Sequence, residues 1–557
     1  MTVTLLDGWL KHVEAAPEAL AVSRLDPQAV PAQSLTRGAL HHAAQQGAQR
    51  LAGLIAPGDR VVLAHAPGLG FVTSVLAVWL AGGIVVTASP PTSDRTRDWL
   101  VAIIRESEPR LLLTDTPIVP LLAPLGQALQ VPVASLETLP EHGAETNRRP
   151  AELAVVQFTS GSTSAPRGVR VSHANLLANL QQLAEASQFG ADDVCVTWLP
   201  HYHNMGLVGV LLLPLWIGFP VHLMSPLEFL ERPGRWLQAI SRVGATFSGG
   251  PNFAFDLATI RTSAAEAEGL DLSRWVGAFS GSEPVRASTL ARFAKRFAPH
   301  GFDPRAFYPC YGMAEATVLV TGGAKMSGAR THHFDAEELG AGRALAVPAD
   351  HPRARALMGL GRTWGNLQLA IVHPETGTRL AAGQVGEVWL RGDSIAEGYW
   401  KPATASHPFG HRLEGSDGWL RTGDTGVLVE GDLVLTGRIK ELIILNGRNL
   451  YPGDLEQALE CLRPTLQTAV AFAVEAQRGE RLVIVGEVDP DLDDAGRTAL
   501  LEGIRLALRQ EDVTPHDVVL VPPGAIERTA TGKLSRFATR DAYVAGRLPR
   551  PAEPLPH

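Results

Sequence analysis

Cysteine is almost missing. Cys195, Cys310 and Cys461 are the only three in 557 residues, and they lie far apart in the sequence. This excludes a disulfide framework and a structural zinc site built on paired thiolates, and it fits a reducing, cytoplasmic setting. Concentrated positive charge is missing too. The 49 basic residues are outnumbered by 57 acidic ones, the net charge is −8, and nowhere do five Lys or Arg residues run together. Neither nucleic acid nor a polybasic membrane contact is expected as a partner. No apolar run is long enough to cross a bilayer. The most apolar stretch, Val208 to Met224, is interrupted by Pro214, Gly218 and Pro220 and reads as a buried helix and strand. The N-terminus carries acidic residues and lacks a basic start ahead of an apolar core, so it does not read as a secretory signal. No fixed-period repeat is visible. A serine hydrolase lacks its G-x-S-x-G turn, and no nearby Cys/His set completes a zinc site around the pair His201 and His203.

What remains is the composition of a globular protein too long for one ordinary core, so two or more domains are expected. Helix-like segments (Leu40 to Leu54, Phe71 to Ala81) alternate with short apolar strands (Arg60 to Ala64, then IVVTA after Gly83). Glu152 to Phe158 reads as a strand entering a Gly/Ser/Thr loop, and helix periodicity is read from Val169 to Ala184. Such alternation predicts an α/β fold: a large N-terminal domain with parallel sheet. Near Gly426 the pattern changes to short strands around Gly-Asp turns. A helix from Asp454, strands at Thr468 to Val474 and Leu482 to Val488, and a helix at Gly496 to Arg509 predict a small α+β domain. The expected division is 1–436 and 437–557, with a Pro-rich tail at the end.

Five stretches can carry chemistry. FTSGSTSAPRGV, Phe158 to Val169, can wrap backbone N–H groups and hydroxyls around phosphate oxygens, with Gly161 permitting close approach. Its spacing is not that of a Walker loop. YGMAEAT, Tyr311 to Thr317, offers Glu315, and one carboxylate beside phosphates suits Mg²⁺. WLRTGDTG, Trp419 to Gly426, sets Asp424 where it can accept hydrogen bonds from paired ribose hydroxyls. GRIKELIILNGRNLYP, Gly437 to Pro452, holds Arg438, a donor for ribose or phosphate, and Lys440 at the expected boundary. ERTATGKLSR, Glu527 to Arg536, carries Lys533 in a small-residue turn, able to bring a point charge to a developing negative charge. Each alone is compatible with an ordinary turn or surface charge.

In this order, and over nearly the whole chain, the five motifs resemble the acyl-adenylate-forming superfamily of acyl-CoA synthetases, nonribosomal-peptide adenylation domains and luciferase. WLPHYHNMGL (Trp198 to Leu207), FLERPGRWLQAIS, GGPNFAFDL, SGSEPVR, FYPCYGMAEAT and KELIILNGRNLYP look closer still to the fatty acyl-AMP ligases. The stretch Gly322 to Ala356 resembles the insertion of that branch, which is associated with poor use of free coenzyme A. The resemblance implies ATP-dependent activation of a fatty acid to an acyl-adenylate with Mg²⁺. Transfer to the phosphopantetheine of an acyl carrier protein supplied in trans would follow, in polyketide or lipopeptide assembly. It implies that Thr159, Ser160, Gly161, Ser162 and Thr163 hold the ATP phosphates. Ser282 and Glu283 would lie beside adenine, with Tyr311, Gly312 and Met313 near the ring. Asp424 and Arg438 would bind ribose, Glu315 would serve Mg²⁺, and His203 would stand where acyl chain meets phosphate. Lys440 would be the hinge of the small domain and Lys533 the cation of the adenylation step.

Three departures stand out. Ser164 and Arg167 replace a glycine and a lysine usual in the phosphate loop, Asn204 replaces an acidic residue after the histidine, and Gly359 to Asn366 lacks a usual proline. The rival readings are an acyl-CoA synthetase on the same fold and, in another class, a non-catalytic adenylate-binding relative. An amino-acid adenylating domain would need an acidic group for the substrate amine, which Asn204 does not supply.

Overall fold

A computed structural model describes residues 4–141, 150–159, 166–401, 407–445, 448–476, 479–510, 513–528 and 534–549. Two mostly parallel sheets form the bulk. One has eight strands, running in spatial order Thr321–Gly322, Phe307–Tyr311, Gly277–Ser280, Phe247–Gly250, Cys195–Thr197, Val221–Leu223, Leu20–Leu25 and Pro31–Thr36. All neighbours are parallel except the two edge pairs. The second has six strands: Val133–Ala134, Leu111–Leu113, Arg60–Leu63, Ile84–Thr87, Leu153–Thr159 and Arg167–Ser172. Its central strands are apolar on both faces; every residue of Ile84–Thr87 is buried. This is the pattern of parallel strands covered by helices on either side. Helix Leu69–Leu80 is apolar around most of its circumference and correspondingly buried.

The glycine- and serine-rich loop does not open directly onto a helix. Arg167–Ser172 is a strand that returns antiparallel along Leu153–Thr159. Val169 and Val171 face the core while Arg170 faces away, a period of two that overrides the helix periodicity read from Val169. The helix begins at His173, where Ser172 and Asn175 close a reciprocal capping box. The apolar stretch around Val208 is buried, as π-helix Met205–Leu212, helix Leu213–Ile217 and strand Val221–Leu223. Among the described residues no helix is long and apolar enough to cross a membrane.

A five-stranded antiparallel sheet follows, in which Ser416–Val429 and Asp432–Arg438 form a hairpin. Between it and the first sheet lies the Gly322–Ala356 stretch. It forms a two-stranded ribbon, Thr331–Asp335 with Ala354–Met358, and a short helix, Ala336–Gly340. Beyond Lys440 the chain builds a separate core. Leu466–Ala476, Gly479–Val488 and Asp517–Val521 form one sheet, covered by Asp494–Gln510 and Arg536–Val544. Its apolar clusters draw only on residues from Ile443 onward. The Pro-rich end beyond Pro549 lies outside the described residues.

Candidate active site

The C-terminal ends of the parallel strands in the eight-stranded sheet deliver several candidate residues to one place. Asp424 and Arg438 face each other across the hairpin that joins the large body to the rest. Asp424 is buried, accepts a hydrogen bond from the Tyr311 hydroxyl at 2.5 Å, and pairs with Arg438 Nε at 2.7 Å. Burial, with the Asp424 carboxylate, pushes the Tyr311 phenol well above its ordinary value, so it stays a neutral donor. Asp424 also raises the already basic Arg438. Each Asp424 oxygen keeps acceptor capacity beyond these bonds, enough for two ribose hydroxyls. Ser282 follows strand Gly277–Ser280 with φ +73°, a left-handed backbone that costs a non-glycine residue about 1–3 kcal/mol and tends to occur at functional sites. Glu283 accepts from the Phe253 backbone N–H at 2.7 Å, at the start of helix Asn252–Arg261. Gly312 has no room for a side chain: a Cβ there would collide with the Val318 carbonyl. Met313 is half-buried beside it.

Thr159 ends its strand opposite Arg167. Ser160, Gly161, Ser162 and Thr163 lie outside the described residues. The base of their loop is anchored to the segment ahead of Lys401: Trp400 donates to Gly168 O at 2.7 Å and Arg170 to Gly398 O at 2.9 Å. Glu315 accepts from the Tyr399 hydroxyl at 2.9 Å. Arg167 stacks on the Tyr399 ring, 5.5 Å from its centroid. The arginine that departs from the usual lysine therefore belongs to an Arg167–Tyr399–Glu315 chain, and Tyr399, which sequence reasoning missed, connects the phosphate loop to the candidate metal ligand. No motif marks Tyr399, because its role arises from a contact across 84 positions. Asn204 also finds a reason. Its amide donates to Thr317 O at 3.1 Å while its carbonyl caps Met205 N–H at 3.0 Å. An aspartate would set a carboxylate against the Thr317 carbonyl, two acceptors without a proton between them.

Through Tyr311 this polar cluster adjoins a cavity in the large body. Its mostly apolar lining, with few polar groups, suits an organic ligand. His203, Ser282, Tyr311, Gly312, Phe247, Gly277 and Tyr308 are among its lining residues. Gly277 and Phe247 open adjacent parallel strands and Ser282 lies just past the end of one of them. The π-helix Met205–Leu212, a rare form that concentrates at functional sites, supplies one wall. In it, a Cβ at Gly209 would meet nothing within 4 Å, so this glycine leaves space open to the cavity.

Lys440 is exposed in a single turn, Ile439–Glu441, between the hairpin and the C-terminal core. Lys533 lies outside the described residues, but the ends of its turn do not. Arg528 bridges Leu534, and Ser535 N–H donates to Glu527 O at 2.8 Å. Arg536 makes bonds of 2.7 and 2.6 Å to Glu456 and one of 2.6 Å to Glu441, next to Lys440. This partly buried triad, also missed in the sequence, clamps the base of the Lys533 turn to the segment around Lys440.

Tyr311 thus ties the Asp424–Arg438 pair to a mostly apolar cavity on this two-sheet body. The AMP-binding enzyme family matches residues 10–400, and the chain belongs to it. Within that family its likeness is to fatty acyl-AMP ligases. It is 35% identical to the medium-chain fatty-acid acyl-carrier-protein ligase JamA of Moorena producens, over 98% of this chain and 96% of that one. It is 36% identical to the long-chain fatty-acid AMP ligase FadD26 of Mycobacterium marinum, over 93% of each. A solved structure from work on fatty acyl-adenylate ligases of E. coli and L. pneumophila superposes with a TM-score of 0.89 at 31% identity, covering 98% of both chains.

Proposed function

We propose that the protein activates a fatty acid with ATP as acyl-adenylate, releases pyrophosphate, and passes the acyl group to the phosphopantetheine thiol of a carrier protein. The observation that carries this reading is the continuity of the Asp424–Tyr311–Arg438 cluster with the apolar cavity. A nucleotide held at the first presents its α-phosphate to a carboxylate whose chain fills the second. The likeness to JamA, named for acyl-carrier-protein ligation, supports the acceptor.

In this reading Asp424 and Arg438 hold ribose, Ser282, Glu283, Tyr311, Gly312 and Met313 frame the adenine, and Thr159 with Ser160–Thr163 receives the phosphates. Glu315 suits Mg²⁺, because one carboxylate oxygen is oriented by Tyr399 and magnesium takes its other ligands from phosphate and water. When bound, the ion would neutralise charge on the phosphates. A carboxylate oxygen then attacks the α-phosphorus, pyrophosphate leaves, and Lys533 offsets the charge that builds there. Holding both reactants in one geometry contributes up to roughly 7–11 kcal/mol in the best cases. His203 lines the cavity, and in this reading it stands where acyl chain and phosphate meet. Afterwards the unit 437–557 turns about Lys440, withdraws Lys533, and admits the thiol, which attacks the carbonyl and expels AMP.

The Gly322–Ala356 stretch supports a restraint on that turn. Arg355 pairs with Asp454 at 2.7 Å and lies 4.4 Å over the Tyr451 ring, and Asn449 donates to Gly340 O at 3.1 Å. The decisive experiment is incubation with ATP, Mg²⁺, a panel of fatty acids, coenzyme A and a carrier protein. Mass spectrometry then separates acyl-AMP, acyl-CoA and acylated carrier. Acyl-AMP and acylated carrier are expected, with little acyl-CoA. Efficient acyl-CoA formation would replace the carrier reading by that of a coenzyme A ligase, and no exchange of labelled pyrophosphate with any acid would overturn the whole reading.

A further inference from the structure

Asp424 does not stand in a regular stretch of strand. Where Gly386–Arg391 pairs with Ser416–Val429, Glu387 faces Thr425 and Trp389 faces Arg421, so Thr422, Gly423 and Asp424 stand opposite Val388 alone. A bulge of this kind bends its strand and re-aims a side chain, and bulges are over-represented beside active sites. This one is pinned at each of its residues. The Thr422 hydroxyl donates to Val388 O at 2.8 Å and accepts from the Asp424 backbone N–H at 3.0 Å. Gly423, at φ +72°, donates its N–H to Glu387 Oε1 at 3.1 Å. Oε2 of the same carboxylate accepts from Nε and Nη2 of Arg421 at 2.9 and 2.7 Å and from the Trp389 indole N–H at 2.9 Å. Arg421 is fixed in turn by Pro374 O at 3.1 Å. Glu387 is only 2% exposed, and a carboxylate that deep persists only where charge and hydrogen bonds compensate it. The compensation here comes from Arg421 and Gly423, the two residues on either side of Thr422. By holding both, Glu387 fixes the path of the chain into Asp424.

We propose that Glu387 is a positioning residue for nucleotide binding: with Thr422 it holds the bulge that aims the Asp424 carboxylate at the ribose. The inference rests on the ribose role given to Asp424 and extends it to a buried group that acts through the backbone. A Glu387 that served stability alone would change the handling of every nucleotide alike. A positioning Glu387 changes what the ribose hydroxyls contribute.

The test uses the full-length protein, a fatty acid, Mg²⁺, and either ATP or 2′,3′-dideoxy-ATP, which keeps the adenine and the phosphates but lacks both ribose hydroxyls. Pyrophosphate exchange gives kcat/KM for each nucleotide. In the wild type ATP is expected to exceed the dideoxy analogue by about ten-fold or more. In Glu387→Ala that ratio falls toward one, chiefly through the KM for ATP, while kcat/KM for the analogue stays within about two-fold. Thr422→Val keeps the shape but loses both hydroxyl bonds, and it lowers the ratio by less. Added to Asp424→Ala, Glu387→Ala lowers the ratio no further, because both act on one contact. A wild-type ratio in Glu387→Ala overturns the inference, as does an equal loss with both nucleotides. If Glu387→Ala does not fold, Glu387→Gln takes its place, since its amide must set a donor against either Gly423 or Arg421, and the same two results decide. A wild type that does not distinguish the two nucleotides sinks the ribose role of Asp424 and this inference with it. A preference that Asp424→Ala abolishes and Glu387→Ala leaves intact sinks this inference alone, and exchange with no acid sinks the fatty-acid reading as well.

Discussion

The two halves of the candidate site are built in opposite ways. On the large body, Asp424, Tyr311 and Arg438 are locked by short bonds, and Ser282 and Thr317 are held at φ +73° and +68° by the surrounding core. On the C-terminal unit, the base of the Lys533 turn is held through Arg536, Glu441 and Glu456, and Lys533 itself lies outside the described residues. A pocket that must recognise a nucleotide gains from being rigid before the ligand arrives, since less ordering is left to be done. A cation needed for one step of two gains from an arm that is stiff at its base and able to move as a body.

The sharpest way to break this comparison is Lys533→Ala. It should lower acyl-adenylate formation by about 1000-fold or more while largely sparing thioester formation from supplied acyl-adenylate, measured as separate half-reactions. Equal loss in both would remove Lys533 from the arm. Next comes Arg536→Met, which leaves Glu456 buried without its partner and should cost the C-terminal unit about 3–5 kcal/mol, read by denaturant unfolding. Ribose binding on the large body should outlast this change, and a parallel loss of nucleotide affinity would show that the halves are not separable. Acid should act the other way round. Burial holds His173 and His201, both in the large body, at a pKa of about 4. The unfolded chain takes up these protons near 6.5 and the native state does not, so their contribution is full above about pH 6.5 and is lost as pH falls toward 4. The loss is at most about 3 kcal/mol per histidine, and a large body that unfolds no earlier at pH 4.5 than at pH 7 would contradict it. Asp424→Ala should raise the KM for ATP about ten-fold, and unchanged ATP kinetics would end its ribose role. The smallest effect is expected from Arg355→Ala, which loosens the Gly322–Ala356 ribbon from Asp454 and Tyr451. A few-fold rise in acyl-CoA formation is the predicted readout, and none would free the ribbon of any restraining role.

Much of this was legible beforehand. Strands Arg60–Leu63 and Ile84–Thr87 and the C-terminal pattern of helix, two strands and helix fall within a few residues of their expected positions, because continuous apolar runs bounded by Gly and Pro leave few alternatives. The hairpin after the Ser/Thr loop was misread because Val169 and Val171 fit either period, and only pairing with Leu153–Thr159 selects the strand. Asp424 and Glu315 stand out by their motifs, whereas Tyr399, Arg536 and Glu456 carry no local signature.

The residue order alone determined the family and the α/β character of a large domain with parallel sheet, and it singled out candidate polar groups for a nucleotide, since these follow from local periodicity and short motifs that need no partner. Which side chains touch was decided by the tertiary structure. The Tyr311–Asp424 bond spans 113 positions, the Arg536–Glu456 clamp 80, and the Tyr399–Glu315 bond 84. Such contacts depend on how helices and strands register against one another, and packing fixes that register through the whole core at once.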